Sequence, residues 1–379
     1  MNHTPLNCNI YWFHAASLGE FYQVRPVLEG LKEVEPDETM IVSFSSPSGY
    51  EHSQCEAMDL KIYLPFDFPW SVHRALRLTR PRKIIFASYD VWPNMVWVAG
   101  NMGIHTNIFA ARVKDGSRKL KPFFFSFHRA VYRMFSTIYT VASKDHDRMR
   151  YIIGDKKTPK VKILGNPRYD MVAKTADEFT TSHTESVLDR EKRIIIGSAH
   201  SKDDELVIPA LIELLKTDDD LKILYVPHEP NESNIQRIKE SFSQQGLSST
   251  VFHSKPTLKL PNDAIVIVAV VGILSKLYWQ GRMAYLGGGF STGIHNVMEP
   301  AIARLPIMFG PKYHHAHEAE ELLENNGGFC IHDRDEFYDT TRRLLHDRDF
   351  FLKTSYAATE VIQNNLGSST RIVRGLIRD

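Results

Sequence analysis

Short apolar runs rich in β-branched and aromatic residues recur along this 379-residue chain, and stretches with helical spacing separate them. Ile10–His14, Met40–Phe44, Lys83–Ala87, Thr106–Phe109, Thr137–Val141 and Lys160–Leu164 read as strands. Phe21–Val34 and Pro122–Arg133 read as helices between them. From Asn166 to Glu191 the composition turns polar and rich in Thr and Ser. A second series follows, with strands at Lys192–Gly197, Lys222–Val226, Ala264–Val271, Arg282–Leu286 and Pro306–Phe309. Alternation of strand and helix predicts an α/β fold with parallel sheets covered on both faces. Two such series, joined near residues 166–190, predict two Rossmann-like domains, at 1–170 and 190–350, with 351–379 as a C-terminal helical segment. In such sheets ligands bind beyond the C-terminal ends of strands. Two facing sheets therefore predict an active site in the cleft between them, built from residues just after strands.

Composition agrees with a soluble globular chain: 43% hydrophobic, 24% charged and 11% aromatic, without low-complexity tracts. The longest apolar run, Ala264 to Leu274, is 11 residues, short of the roughly 20 that a membrane span needs. The first residues do not have the pattern of a signal peptide. Cys8, Cys55 and Cys330 lie far apart and outside any CxxC pairing, which argues for a reducing compartment and against a disulfide framework or a zinc–thiolate site. The formal charge of +1 argues on its face against a nucleic-acid or membrane-surface partner. It conceals an asymmetry. Residues 1–180 hold 24 basic against 18 acidic side chains, and the remainder hold 22 against 27. Within 74–133, 12 basic residues, Arg74, Arg77 and Arg112 among them, face only Asp90 and Asp115. That segment is the footprint of an anionic partner such as phosphate, acidic lipid or nucleic acid, or a solvated basic surface with no partner.

Two post-strand segments carry candidate chemistry. His14-Ala-Ala-Ser-Leu-Gly-Glu20 ends a strand and opens a helix. Ser17 and Glu20 fit a capping box; the alternative makes Glu20 a general base in the cleft, with Gly19 permitting close approach. Tyr285-Leu-Gly-Gly-Gly-Phe-Ser-Thr-Gly-Ile-His-Asn-Val-Met-Glu-Pro300 ends a strand in glycines that let backbone approach a ligand, and a helix is predicted from Ile294–Asn296. It lacks the third glycine of a dinucleotide fingerprint. His295, Asn296 and the Glu299-Pro300 pair make the motif more specific, and Glu299 would accept hydrogen bonds from ribose hydroxyls. Gly197-Ser-Ala-His200, Val226-Pro-His-Glu-Pro230 and Gly165-Asn-Pro-Arg-Tyr-Asp170 follow strands too, and point at the same cleft or are ordinary capped turns. His314, His315 and His317 make a His-rich turn without a metal-binding motif around it. Nucleophile elbows and Walker loops are absent. The run Phe123-Phe-Phe-Ser-Phe127 predicts a buried helix, with membrane contact as the other reading.

These motifs, in this order from Trp12 to about Ala319, resemble the Kdo transferases, which add 3-deoxy-D-manno-octulosonic acid to lipid A precursors. WFHAASLGE (12–20), VWPN (91–94), GNPRYD (165–170), GSAH (197–200), VPHEP (226–230) and GGGFSTGIHNVMEP with LPIMFGP (287–311) carry the likeness. The resemblance implies the GT-B fold, with a C-terminal helix crossing back to the first domain. It implies transfer from CMP-Kdo with inversion and Glu20 as general base, through an oxocarbenium-like transition state. Ser198, His200, Pro227, His228, Ser291, Gly293, His295, Asn296 and Glu299 would bind the donor, with Ile273 and Leu274 meeting cytosine through the backbone. Ser17, Gly19, Asp90, Arg74, Arg77 and Arg112 would bind the acceptor. It implies no cofactor and no metal, because the leaving CMP carries one phosphate. The partners it implies are CMP-Kdo, a lipid A precursor and the cytoplasmic face of the bacterial inner membrane, met through the basic patch, with no nucleic acid. Three departures stand out. Ser88-Tyr89-Asp90 replaces a Glu-Thr-Glu, Pro227-His228-Glu229 replaces a Pro-Arg-His, and Ala269 replaces a frequent acid. Many members also begin with an apolar anchor, whereas about ten residues precede the first strand here. A UDP-sugar donor on the same fold is the alternative reading.

Overall fold

A computed structural model describes residues 9–114, 116–183, 185–253 and 260–379. The chain divides into one unit of Met1–Met171 with Asn365–Asp379, and a second of Val172–Asn364.

The first unit is built on seven parallel strands: β1 (Ile10–Ala15), β2 (Thr39–Phe44), β3 (Leu60–Tyr63), β4 (Lys83–Ala87), β5 (His105–Ala111), β6 (Thr137–Thr140) and β7 (Lys160–Ile163). Their order is β3-β2-β1-β4-β5-β6-β7. The direction of winding reverses between β1 and β4, so the crevice beyond their C-terminal ends is the natural ligand position. The strands are continuous apolar runs because each feeds two cores. Tyr11, Phe13 and Ala15 join Val42, Phe44 and Ile85 on one face. Trp12 joins Ile41, Ile84, Phe86 and Ile108 on the other.

Helix Ser368–Arg378 belongs to this unit and packs Ile372, Val373 and Leu376 into the first of those cores. The GNPRYD segment is its anchor. The Asp170 carboxylate accepts the Gly367 and Ser369 N–H groups, each at 2.6 Å, satisfying donors at the helix start. Gly165 has φ +90°, and a Cβ there would lie 2.3 Å from Ser368 Oγ. Of the two readings of this segment, the capped turn is the one these contacts describe.

The second unit repeats the plan with β8 (Arg193–Ala199), β9 (Lys222–Pro227), β10 (Thr250–Phe252), β11 (Ile265–Val268), β12 (Met283–Leu286), β13 (Ile307–Phe309) and β14 (Gly328–Cys330). Their order, β10-β11-β9-β8-β12-β13-β14, puts the switch point between β8 and β12. All described pairings in both sheets are parallel. The pair of Rossmann-like units is the α/β, GT-B architecture.

Two expectations change. Helix Pro122–Tyr132 buries Val131 and Tyr132, yet Phe123 is 88% exposed, with Phe124 and Phe127 at 41% and 47%. Phe125 packs against the core, while Phe123, Phe124 and Phe127 lie outside it, so most of that aromatic run is surface. The basic segment 74–133 is likewise not one patch. Lys83 is buried and donates to the Leu376 carbonyl, while Arg129 and Arg133 donate to the Ile152 and Ile153 carbonyls. Among the described residues no helix is long and apolar enough to cross a membrane.

Candidate active site

In the first unit, the crevice beyond β1 and β4 holds Glu20 and Asp90. Ser17 caps helix Leu18–Val34, its Oγ accepting the Glu20 N–H at 3.4 Å. The return bond of a capping box would run from the Ser17 N–H to the Glu20 carboxylate. Instead Glu20 Oε2 accepts the Ala16 N–H at 2.7 Å, which ties the carboxylate to the end of β1. Among the described residues no hydrogen bond reaches Oε1. Gly19 is exposed, and a Cβ there would meet only Ser17 Oγ, at 3.8 Å. Packing does not demand a glycine in this first turn, so its effect is to keep the approach to Ser17 and Glu20 open.

Asp90 sits at the end of a buried polar chain. Trp12 Nε1 donates to Ser43 Oγ at 2.8 Å, and Ser43 Oγ lies 3.0 Å from His14 Nδ1. His14 Nε2 is 3.1 Å from Asp90 Oδ2, and Trp92 Nε1 donates to the same carboxylate oxygen at 3.0 Å. Register brings these together: His14 pairs with Ser43 across β1 and β2, and with Phe86, two residues before Ser88, across β1 and β4. Ser88 itself takes φ +58°, a sterically costly value for a residue with a Cβ, and its hydroxyl donates to Gln23.

The two carboxyl groups are driven apart. Burial pushes Glu20 up from 4.5 to about 7, only partly opposed by the Ala16 N–H and reinforced by the Asp90 charge. Burial also pushes Asp90 up, but the hydrogen bonds from His14 and Trp92 outweigh it and hold Asp90 below the usual range. One group is thus ionised well below neutrality while its neighbour is poised near it, which is the arrangement a general base requires.

Among the proposed acceptor residues, Arg74 and Arg77 are exposed on helix Pro69–Thr79, and Arg112 faces Asp145 at 3.9 Å. The segments after β3, β4 and β5 carry exposed Phe66, Phe68 and Tyr89 on loops and Trp70 and Phe123 in the first turns of the helices that follow, with Lys114 and Lys119 over the Tyr89 ring. Asp67 pins the first loop to the VWPN turn, accepting the Asn94 and Met95 N–H groups at 3.2 and 2.9 Å.

In the second unit, the ends of β8, β9 and β12 converge. Ser198 has φ +53° at a register shift between Gly197 and Ala199, and the His228 N–H donates to the Ala199 carbonyl at 2.9 Å. Asp203, fully buried, holds the loops together. Its carboxylate accepts the His200 N–H at 2.9 Å, the Gly288 N–H at 2.8 Å and the Tyr285 hydroxyl at 2.8 Å. The glycines meet protein where a ligand was expected. A Cβ on Gly287 would lie 2.3 Å from the Ser198 carbonyl oxygen, and one on Gly289 would lie 2.5 Å from Gly310 Cα. The helix starts later than predicted, at Met298, because Asn296 Oδ1 accepts the Met298 N–H at 3.1 Å in a turn of its own. At five residues, Met298–Ile302 offers little dipole to a phosphate. Asn296 Nδ2 donates to Glu299 at 2.9 Å. Leu274 packs over Gly197, Ile273 precedes the helix Leu274–Leu277, and the Lys312 ammonium donates to the Ser291 carbonyl at 2.7 Å. Pro227 closes β9 beside His228, and the Gly293 N–H donates to the Gly288 carbonyl at 2.9 Å.

His200, His228 and His295 gather here. His200 Nε2 is 3.3 Å from His295 Nε2, and the His228 ring stacks on both, with centroids 4.2 and 4.7 Å away. Burial, then the neighbouring His228 and His200 rings, push His295 down to about 4, so it is neutral at physiological pH. The His-rich turn is more dispersed, His317 reaching Glu320 and Glu321 only at 3.6 Å. Sequence reasoning missed His14, Ser43, Trp92 and Asp203 as site-shaping residues. An Asp three residues after a post-strand His is the signal that was available for Asp203.

Residues 2–171 match the family model described as 3-deoxy-D-manno-octulosonic-acid transferase (kdotransferase). Proteins named 3-deoxy-D-manno-octulosonic acid transferase are similar over most of the chain. That of Aquifex aeolicus is 27% identical, covering 89% of this chain and 87% of its own. Those of Chlamydia pneumoniae and Haemophilus influenzae are each 26% identical, covering 92% and 96% of this chain and 80% and 85% of their own. Among solved structures, UDP-GlcNAc 2-epimerase from Neisseria meningitidis superposes with a TM-score of 0.69 at 12% identity, over 98% of this chain and all of the other. A glycosyltransferase from Rickettsia africae gives 0.59 at 14%, over 98% and 97%. At those identities the structural likeness bears on fold alone.

Proposed function

We propose that this chain is a member of the Kdo transferase family of glycosyltransferases in lipopolysaccharide biosynthesis, and that it moves Kdo from CMP-Kdo to a lipid A precursor with inversion at the anomeric carbon; the family model over residues 2–171 and the similarity to named Kdo transferases over most of the chain support the reading. The observation that carries the mechanism is the Glu20 carboxyl, raised to about 7 beside an ionised Asp90. Glu20 Oε1 takes the proton of an acceptor hydroxyl as that oxygen attacks the anomeric carbon and the bond to the CMP phosphate breaks. One base suffices for inversion, because the nucleophile and leaving group occupy opposite faces. Asp90, held by His14 and Trp92, keeps Glu20 basic by its charge. Ser17, Gly19, Arg74, Arg77 and Arg112 receive the acceptor.

In the second unit, Ser198, His200, Pro227, His228, Ser291, Gly293, His295 and Asn296 receive the donor's anionic groups, Glu299 its ribose, and Ile273 and Leu274 its base. Working at the cytoplasmic face of the inner membrane suits the first unit's surface. Phe66 and Phe68 on a post-strand loop, and Trp70 and Phe123 at the starts of helices, are exposed near Arg74, Arg77 and Lys121 in sequence, a pairing suited to an anionic bilayer. Calorimetry with CMP and UDP tests the donor: tighter binding of CMP supports the reading, and preference for UDP overturns it. Glu20→Gln tests the base: it should retain CMP binding and lose transfer, and a variant that transfers at near wild-type rate reduces Glu20 to a cap.

A further inference from the structure

Three imidazoles meet beyond the ends of β8, β9 and β12. They come from positions 200, 228 and 295, on three separate loops, and one ligand nitrogen of each lies within 4.8 Å of the others. Among the described residues this is the grouping of His, Cys, Asp and Glu close enough to share an ion. Two nitrogens bound tetrahedrally at about 2.0–2.1 Å stand roughly 3.3 Å apart. His200 Nε2 and His295 Nε2 already stand 3.3 Å apart.

We propose that His200, His228 and His295 bind a divalent transition-metal ion of the zinc class, leaving coordination positions open to an anionic oxygen. Three nitrogen ligands with no carboxylate select zinc, cobalt or nickel over magnesium or calcium. Three protein ligands are also the number that leaves room for an exogenous one. The ring planes lie within 25° of one another, so His228 must turn about its side-chain bonds for its lone pair to converge; it is exposed and has the room. The loops beneath it are rigid, because Asp203 ties the His200 backbone to Gly288 and the His228 N–H is tied to Ala199. His315, whose ring packs on Gly293 and whose Nε2 lies 3.0 Å from the Ile294 carbonyl, braces the loop carrying His295. The metal's role rests on the donor-site reading: it supplies positive charge to the donor's anionic groups.

The test uses the full chain, freed of metal with a chelator and titrated with Zn²⁺ by calorimetry and with Co²⁺ by visible absorption. One ion per chain is expected, with the strong absorption of low-coordinate Co²⁺. His228→Gln and His295→Gln should each weaken binding more than about 10-fold, while His314→Gln/His317→Gln leaves it unchanged. Circular dichroism confirms that each variant is folded. No binding, or binding that survives His228→Gln and is lost in His314→Gln/His317→Gln, overturns the site. CMP titrations of the metal-free and zinc-loaded protein separate the two readings. Tighter CMP binding with zinc supports the metal's role, and equal affinity overturns it. Zinc bound at the triad with no CMP binding in either form upholds the metal site and overturns the donor reading.

Discussion

Replacing Glu20 by Gln removes a charge that the fold holds at a cost, and the cost has a defined pH dependence. The folded carboxyl titrates near 7, against the ordinary value of 4.5. At about 1.4 kcal/mol per tenfold change in proton affinity, that rise corresponds to roughly 3 kcal/mol. Because the folded value is the higher one, wild type has its full stability from this group below pH 4.5 and loses it as pH rises to about 7. Gln keeps an oxygen for the Ala16 N–H and does not titrate. The stability of Glu20→Gln relative to wild type should therefore rise by up to about 3 kcal/mol between pH 4.5 and pH 8. Urea unfolding followed by tryptophan fluorescence reports it, since four of the five tryptophans, Trp12, Trp70, Trp92 and Trp97, belong to the first unit. In parallel, wild-type kcat/KM should rise about tenfold per pH unit toward 7 and then level, as the base ionises. A stability difference that does not change with pH, together with an activity limb near pH 4–5, refutes the reasoning.

Other perturbations test the supports of the site. Asp203→Ala strands the His200 and Gly288 N–H groups and the Tyr285 hydroxyl, and should cost about 2–4 kcal/mol in unfolding and weaken CMP binding measured by calorimetry. Asp170→Ala uncaps the C-terminal helix and should cost about 1–2 kcal/mol, with faster proteolysis between residues 365 and 379. Phe123→Ser with Phe127→Ser should reduce sedimentation with anionic vesicles severalfold and leave CMP binding unchanged; equal sedimentation contradicts a membrane role for that helix.

The central strands of both sheets were legible because burial on two faces writes an unbroken apolar run, as in Ile194–Ile196 or Ile84–Phe86. β3, β10 and β14 escaped notice because, at the edges of their sheets, they are short and only partly buried. Glu20 was visible through its spacing from Ser17; the structure keeps the Ser17 cap but turns the Glu20 carboxylate to the Ala16 N–H, and burial raises it to about 7. The His14–Asp90–Trp92 chain was not visible, because it exists only through the pairing of β1 with β4, whose residues lie some 70 positions apart. The convergence of His200, His228 and His295 has the same origin. The phenylalanine run misled for the opposite reason. Hydrophobicity alone does not distinguish an inward face from one that meets an apolar partner.

The central claim is tested most directly by mass spectrometry of the product formed from CMP-Kdo and a tetraacylated lipid A precursor. Wild-type protein should yield the precursor made heavier by one or more Kdo residues, with CMP released in equal number, and Glu20→Gln should yield none. An unmodified precursor with wild-type protein, under conditions where CMP binds, would contradict the account.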